Sequence, residues 1–429
     1  MARKELNDIR FIKGNGGMGR PSASKDQVSG LIFGGFGASV LTFGSSAGNI
    51  KGFDAADSTP SAYIRRFTYV EELADAGIVW TKSGNGSGTS GALTDAEKAK
   101  NALYYHISEF FRINPNGTLY VMVKAGATAA AAADLETIQV YAGGEIRQCG
   151  IFNSTLLTVS GLQTQLASLE AAHMPMSVVE TYDGASVTIS TLTGNNASVA
   201  EGNCNVSILI GCDGDAELAE NLGGYTTTSN NTTTTGYAGY GCIGACIGAI
   251  SKASVHESIA WVEKFPLGLK EPAIFNGNLY KNISIANREL LNGNRYIFVV
   301  THTGDADNYF NDSHTCDLDS SDYAYIENER TIDKACRGIR QKLLPHLGSS
   351  LKVNATTGQL SVDTVAFLET EAGKALEEME KAGELSGYKA EIDPEQNVLS
   401  TGTVEVVIKN VPMGVMRKVN VKIGFTTKL

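Results

Sequence analysis

The densest collection of donor side chains in this chain is HTGDADNYFNDSHTCDLDSSD, residues 302–322. It places Asp305, Asp307, Asp312, His314, Cys316, Asp317, Asp319 and Asp322 in one short segment. Oxygen, nitrogen and sulfur ligands this close together raise three chemistries: a metal site, a nucleophilic centre or a hydrated loop. A calcium loop needs the order Asp-x-Asp/Asn-x-Asp/Asn-Gly. Asp305 and Asp307 begin that order, but Tyr309 holds the third ligand position and no Gly follows. Zinc sites use paired Cys or His donors at tight spacing, and here one His and one Cys stand close together, His314 and Cys316, with no partner pair. Cys316 as a nucleophile needs a His base, and the nearest in sequence is His314. The plain reading is a loop, because short polar side chains hydrogen-bond their own backbone in turns. One of them, such as Asp322, then caps the helix that follows.

The rest of the chain offers no better set. His106 lies beside Ile107 on an apolar helical face and reads as packed; His173, His256, His302 and His346 have no acid and nucleophile at a known spacing. GxSxG, Walker and HExxH patterns are missing, which lowers an enzymatic reading without removing it. Cys242 and Cys246 stand four apart in GCIGACIGAISKA (241–253) with no second pair. Small residues of a closely packed helix explain them better than zinc. GNGGMGRP (14–21) is followed by Pro21 and polar residues, not by the helix that a phosphate-binding loop requires. No catalytic, cofactor-binding or metal-ligating residue is therefore assigned. A metal-dependent hydrolase using 302–322 is kept as the alternative function.

The elements that position these residues alternate between helix and strand. Thr94 and Glu97 form a capping box, S/T-x-x-E, ahead of Ala99, Leu103, Ile107 and Phe110 at helical spacing. NPNG (114–117) then turns the chain into the apolar strand TLYVMVKAG. The pattern recurs in GLQTQLASLEAAH (161–173), with Leu162, Leu166 and Leu169 inward, before the strand MSVVET. GLIFGGFGASVLTFG (30–44), NVSILIG (205–211) and RYIFVVTHTG (295–304) also read as strands. Residues 325–347 form an amphipathic helix with Ile332, Ala335, Ile339 and Leu343 on one face. Residues 361–385 form another, with Val365, Leu368, Ala372, Ala375, Leu376 and Met379 inward and Gly383 and Gly387 ending it. TVEVVIKNV (403–411) and KVNVKIGF (418–425) alternate as strands. GGYTTTSNNTTTTGYAGY (223–240) reads as an exposed loop or surface hairpin. The result is an α/β (α+β) multi-domain chain.

The totals bound the function. The 429 residues can hold two or three domains, and 42% hydrophobic against 19% charged residues supports a buried core. The formal net charge of −11 argues against nucleic acid as a partner, since phosphate binding draws on clustered Lys and Arg. The first twenty residues lack the apolar run of a signal peptide. No stretch has the length of a membrane span, so no membrane partner is expected. Seven irregularly spaced cysteines suit free thiols in a reducing compartment. The charge is unevenly spread: residues 1–28 carry +3, residues 409–429 carry +5 with no acid, and residues 363–395 carry −7. A terminal alternating strand can pair within its own sheet, or add to the sheet edge of a neighbour. A head-to-tail contact of the second kind builds rings or filaments.

The order RYIFVVTHTG, YIENERTIDKACRGIRQKLLPHL, LEEMEKAGELSGYKAEID and TGTVEVVIKNVPMGVMRKVNVKIGF resembles the conserved domain of contractile tail sheath proteins of phages and phage-like injection systems. ALTDAEKAKNALYYHISEFFRINPNGTLYVMVKAG is similar to a helix–turn–strand segment of the same family. The resemblance implies a subunit that stacks as hexameric rings around an inner tube protein and contracts to drive the tube through a cell envelope. It implies a helical homo-oligomer, with baseplate and tail terminator proteins as further partners. The particle would be a virion tail or phage-like structure assembled in the host bacterial cytoplasm. The implied layout is an N-terminal arm (1–28), an outer α/β region (29–290), a conserved domain (291–411) and a C-terminal arm (412–429). Arg10, Phe11 and Ile12, with Val419, Val421, Ile423 and Phe425, would be the arm contacts. Lys334, Arg337, Arg340 and Lys342 would face the tube. The acidic loop 302–322 is not explained by the resemblance. An inner-tube protein is disfavoured, since tube proteins are shorter and mainly β-barrel.

Overall fold

The computed structural model describes all residues except 1–24, 36–40, 47, 57–61, 89–90, 126–127, 185, 223–225, 230–231, 236–240 and 427–429. Its centre is a sheet of β1 (Val28–Phe33), β2 (Asp54–Ala55), β3 (Ala62–Phe67), β4 (Thr118–Lys124), β5 (Gln148–Asn153), β6 (Ser177–Tyr182) and β7 (Val206–Ile208). The spatial order is β2-β3-β4-β1-β5-β6-β7. From β4 to β7 every pairing is parallel, and β3 and β2 add an antiparallel edge. Parallel strands are buried on both faces and so read as near-continuous apolar runs, as VSGLIF and TLYVMVK do.

Side chains alternate across the sheet into two cores. Ile32, Met122, Ile151 and Val178 point to one face, where α2 (Asp134–Tyr141) and α3 (Val159–Ala171) supply Leu135, Ile138, Leu162, Leu166 and Leu169. Leu31, Val121, Phe152 and Val179 point to the other, covered by α1 (Asp95–Ile113) and α4 (Ile243–Lys252). Helix α1 opens with the expected capping box, Thr94 receiving Glu97 N–H and Glu97 receiving Thr94 N–H. His106 is fully buried on it, and burial pushes its pKa down to about 3, so the ring is neutral. Helix α4 is buried along nearly its whole length, and a Cβ on Gly244 would sit 1.9 Å from the His106 carbonyl oxygen. Small residues let these two helix backbones touch.

The C-terminal part pairs α5 (Ile326–Leu343) with α6 (Val362–Lys381). Ala335, Leu376, Met379 and Leu385 form a small core between them and an antiparallel ribbon. Before these come two short strands, β8 (Val299–Thr301) and β9 (Asn308–Phe310); the ribbon is β10 (Leu385–Glu391) with β11 (Val407–Pro412). Ser361 caps α6 through the Thr364 N–H, and Gly383 at φ +74° follows its end. Gly387 does not terminate the helix, as expected, but lies inside β10.

Several expected strands are shorter. The run 30–44 leaves the sheet after Phe33, where Gly35 adopts φ +75°. Residues 295–304 pair regularly only over Val299–Thr301. Residues 418–425 alternate but have no strand partner among the described residues. In the Thr-rich stretch, Thr226–Ser229 pairs antiparallel with Thr232–Thr235. The expected boundary at 290/291 does not mark a break in packing. Leu291, Tyr296 and Phe298 share one core with Ile32, and Ile297, Val299 and Phe310 share the other with Leu31. Among the described residues, no helix is long and apolar enough to cross a membrane.

Candidate functional site

The acidic segment folds as a wet turn, a buried passage and a second wet turn. Residues 302–307 are exposed. There Asp305 accepts from Asp307 N–H at 3.1 Å and from the Tyr309 hydroxyl at 2.9 Å. Residues 308–310 and 313–317 are buried, because Tyr309, Phe310 and Cys316 insert into the two main cores. An exposed loop is thus the wrong description of its middle. The apolar residues spaced among the acids were the available signal.

Most of the polar groups that accompany them have partners, although His314 Nδ1 is buried without one. His314 meets Asn292 Oδ1 through Nε2 at 3.1 Å, and burial lowers its pKa to about 4. Burial pushes the Cys316 thiol up to about 12, leaving it protonated and a poor nucleophile. Asp317 accepts from Gly202 N–H at 3.0 Å, Leu318 N–H at 2.8 Å and the Ser321 hydroxyl at 2.7 Å. Asp319 pairs with Arg295 at 3.1 Å. Asp322 is not the expected cap: α5 begins after Tyr325, and Asp322 instead receives Asn328 Nδ2 at its backbone carbonyl, 2.7 Å away. Among the described residues no group of three or more His, Cys, Asp or Glu side chains could hold a metal ion. The described residues of this segment thus assemble no metal centre of the kind the hydrolase alternative uses.

Helix α5 carries the densest buried charge. Glu327, Glu329, Arg330 and Asp333 are all buried in its first turns. Burial, with Asp333 nearby, raises Glu329 to about 8; burial raises Asp333 to about 7 against the opposing charge of Arg337. Arg330 and Asp333, with Asp26, Arg147, Val255 and Arg337, line a partly open pocket of about 10 Å³, roughly the room one water needs.

The four cations expected on α5 lie in different settings. Lys334 Nζ is 2.9 Å from Asp26 and 2.6 Å from Glu384, and Arg337 is 3.2 Å from Asp26. Burial opposes ionisation of Asp26, but the Lys334 hydrogen bond and the charges of Lys334, Arg337 and Arg330 hold its pKa below the ordinary carboxylate value. Lys342 pairs with Glu378 at 2.7 Å. Arg340 is exposed and has no ion-pair partner among the described residues. Three of the four are therefore engaged within the chain, and Asp26, just after the undescribed N-terminal residues, is the shared partner of two.

Beyond β11 the chain runs free of regular structure from 413 to 426. Val419, Val421, Ile423 and Phe425 are 65%, 78%, 95% and 111% exposed. Burying four such side chains is worth on the order of 6–12 kcal/mol before ordering costs. Arg10, Phe11 and Ile12 lie outside the described residues.

Residues 88–314 match the family described as DUF2586, N-terminal domain, and residues 322–429 match DUF2586, C-terminal domain. The chain belongs to the DUF2586 family. The two matches are separated by residues 315–321, shortly before α5 begins at Ile326. No curated protein matches this chain. Among solved structures it is similar to the helical sheath of the anti-feeding prophage in its contracted state. The TM-score is 0.57 at 15% identity, covering 99% of this chain and 100% of that one. A chain of the same prophage's six-fold symmetrised baseplate gives 0.57 at 13%, covering 99% and 100%. The sheath complex of the extracellular contractile injection system PVC, also contracted, gives 0.52 at 12%, covering 100% and 99%. This DUF2586 chain thus has the mixed α/β fold of contractile sheath proteins over its full length, as the sequence resemblance implied.

Proposed function

We propose that this DUF2586 protein is a non-enzymatic subunit of a contractile sheath. It polymerises with itself as stacked hexameric rings around an inner tube protein, between baseplate and terminator proteins. It contracts to drive the tube through a target envelope. The carrying observation is the C-terminal segment: four alternating large apolar side chains, exposed and without a strand partner among the described residues, on a chain that shares the sheath fold end to end. A lone protein gains little from holding such a strand in water. A neighbour's sheet edge supplies the missing hydrogen bonds and apolar cover. The exposed Arg340 is the first candidate for tube contact on α5, ahead of Lys334, Arg337 and Lys342. Particles of this kind assemble in the bacterial cytoplasm before release.

Negative-stain microscopy of the purified chain over a range of protein and salt concentrations tests the reading. Tubes or stacked rings are expected. Elemental analysis of the same sample addresses the hydrolase alternative, which requires a stoichiometric metal.

A further inference from the structure

We propose that Asp312, Tyr325 and Glu327 form a guanidinium cradle that anchors the root of this chain's own C-terminal arm through Arg417. The anchor presets the direction in which residues 418–426 leave the body. The second statement rests on the sheath reading; the first does not.

Arg417 Nε is 3.1 Å from each carboxylate oxygen of Asp312, and its Nη2 donates to Glu327. Its guanidinium carbon lies 3.4 Å from the centre of the Tyr325 ring. Two carboxylates and an aromatic face suit a planar fork; a lysine there keeps the charge and its attraction to the two acids but loses the fixed fork geometry. Glu327 also accepts from the Ser313 hydroxyl and is 2% exposed. Burial disfavours its charge, and Arg417 is the strongest opposing influence. A carboxylate of the body core therefore takes its counter-ion from an otherwise exposed arm. Removing one partner of such a pair leaves a buried charge uncompensated.

The position along the chain gives the cradle its purpose. Arg417 stands after the end of β11 at Pro412 and just before the alternation that starts at Val419. A contact there restricts where the following strand can reach, so less ordering remains to be done when a neighbour binds it. The cradle also gives a use to Asp312, within the acidic segment.

An Arg417→Lys variant of the full chain tests the anchor. It puts an amine where a carbodiimide can couple it to Asp312 or Glu327, and peptide mass spectrometry reads the link. The wild-type chain, offering Lys418 but no amine at 417, gives the background. Mixing ¹⁵N-labelled and unlabelled chains separates links within a chain from links between chains. Links from 417 to 312 or 327 inside single chains are expected, in dispersed protein and in assemblies alike. No such link in dispersed protein, or mixed-isotope links in assemblies, overturns the proposal. For the take-off role, Arg417→Ala is expected to raise the concentration needed for assembly by about tenfold, the scale of one charge-assisted hydrogen bond. Assembly at the wild-type concentration overturns that role. If links form within single chains but the full-length protein never polymerises, the cradle stands and the sheath reading fails.

Discussion

Helix α4 meets α1 at Gly244, and the closeness of that contact sets the size of one substitution. A Cβ at 244 would lie 1.9 Å from the His106 oxygen, 2.6 Å from its carbonyl carbon and 2.7 Å from its Cα. All three are backbone atoms, so no side chain can rotate away. Restoring ordinary contact requires the helices to part by more than ~1 Å, and overpacking of this kind costs about 1–3 kcal/mol or more. Against this, Gly→Ala in a helix interior gains about 1 kcal/mol. The buried α1–α4 interface has no slack, which favours the upper end of that cost, so Gly244→Ala is expected to lose a net of about 1–2 kcal/mol. Gly248, one turn on, is the control: its Cβ would lie 3.0 Å from Phe110 oxygen and 3.3 Å from Ile113 Cβ. Its Ala variant is expected within about 1 kcal/mol of wild type. Urea unfolding followed by circular dichroism reads both, with midpoint and slope compared so that stability is separated from compactness. A Gly244→Ala midpoint equal to or above wild type refutes the close-packing account.

Glu180 is fully buried, accepts only the Leu157 N–H through one oxygen, and has its pKa pushed up to about 8 by burial. A carboxyl with a raised folded pKa stabilises most below its unfolded value, so stability should fall between about pH 4.5 and 8, by roughly 3–5 kcal/mol. Glu180→Gln is expected to flatten that slope in urea melts at pH 5 and pH 8; an unchanged slope contradicts the assignment. Asp26→Asn removes the acid shared by Lys334 and Arg337 and is expected to cost about 1–3 kcal/mol, since the group is only partly shielded. A denaturant midpoint within error of wild type argues against it. Dialysis against a chelator is expected to leave the melting temperature unchanged, and a drop of several degrees would revive a metal role for 302–322.

Local periodicity made the helices legible. The Thr94/Glu97 capping box, the inward Leu162, Leu166 and Leu169, and the small residues of 241–253 all depend on neighbours in sequence, and all appear as expected. What sequence did not reveal is partnership. Nothing in VSGLIF announces that β1 lies between β4 and β5, because parallel pairing joins distant segments. The acidic segment looked wet because its acids were counted singly. Asp312 and Glu327 are satisfied by Arg417 from the far end of the chain. The α5 lysines looked free for the same reason, while Asp26 and Glu384 held Lys334. The alternation of 418–425 signalled a strand, and among the described residues it stays unpaired.

The central claim is that the exposed arm joins copies of this chain into a tube. Electron microscopy of the full-length protein beside a chain lacking 412–429, at matched concentrations, tests it most directly. Helical tubes from the full-length chain, with folded, dispersed particles from the truncated one, are the predicted result. The same tubes from both proteins, or dispersed particles from the full-length chain under every condition, would contradict it.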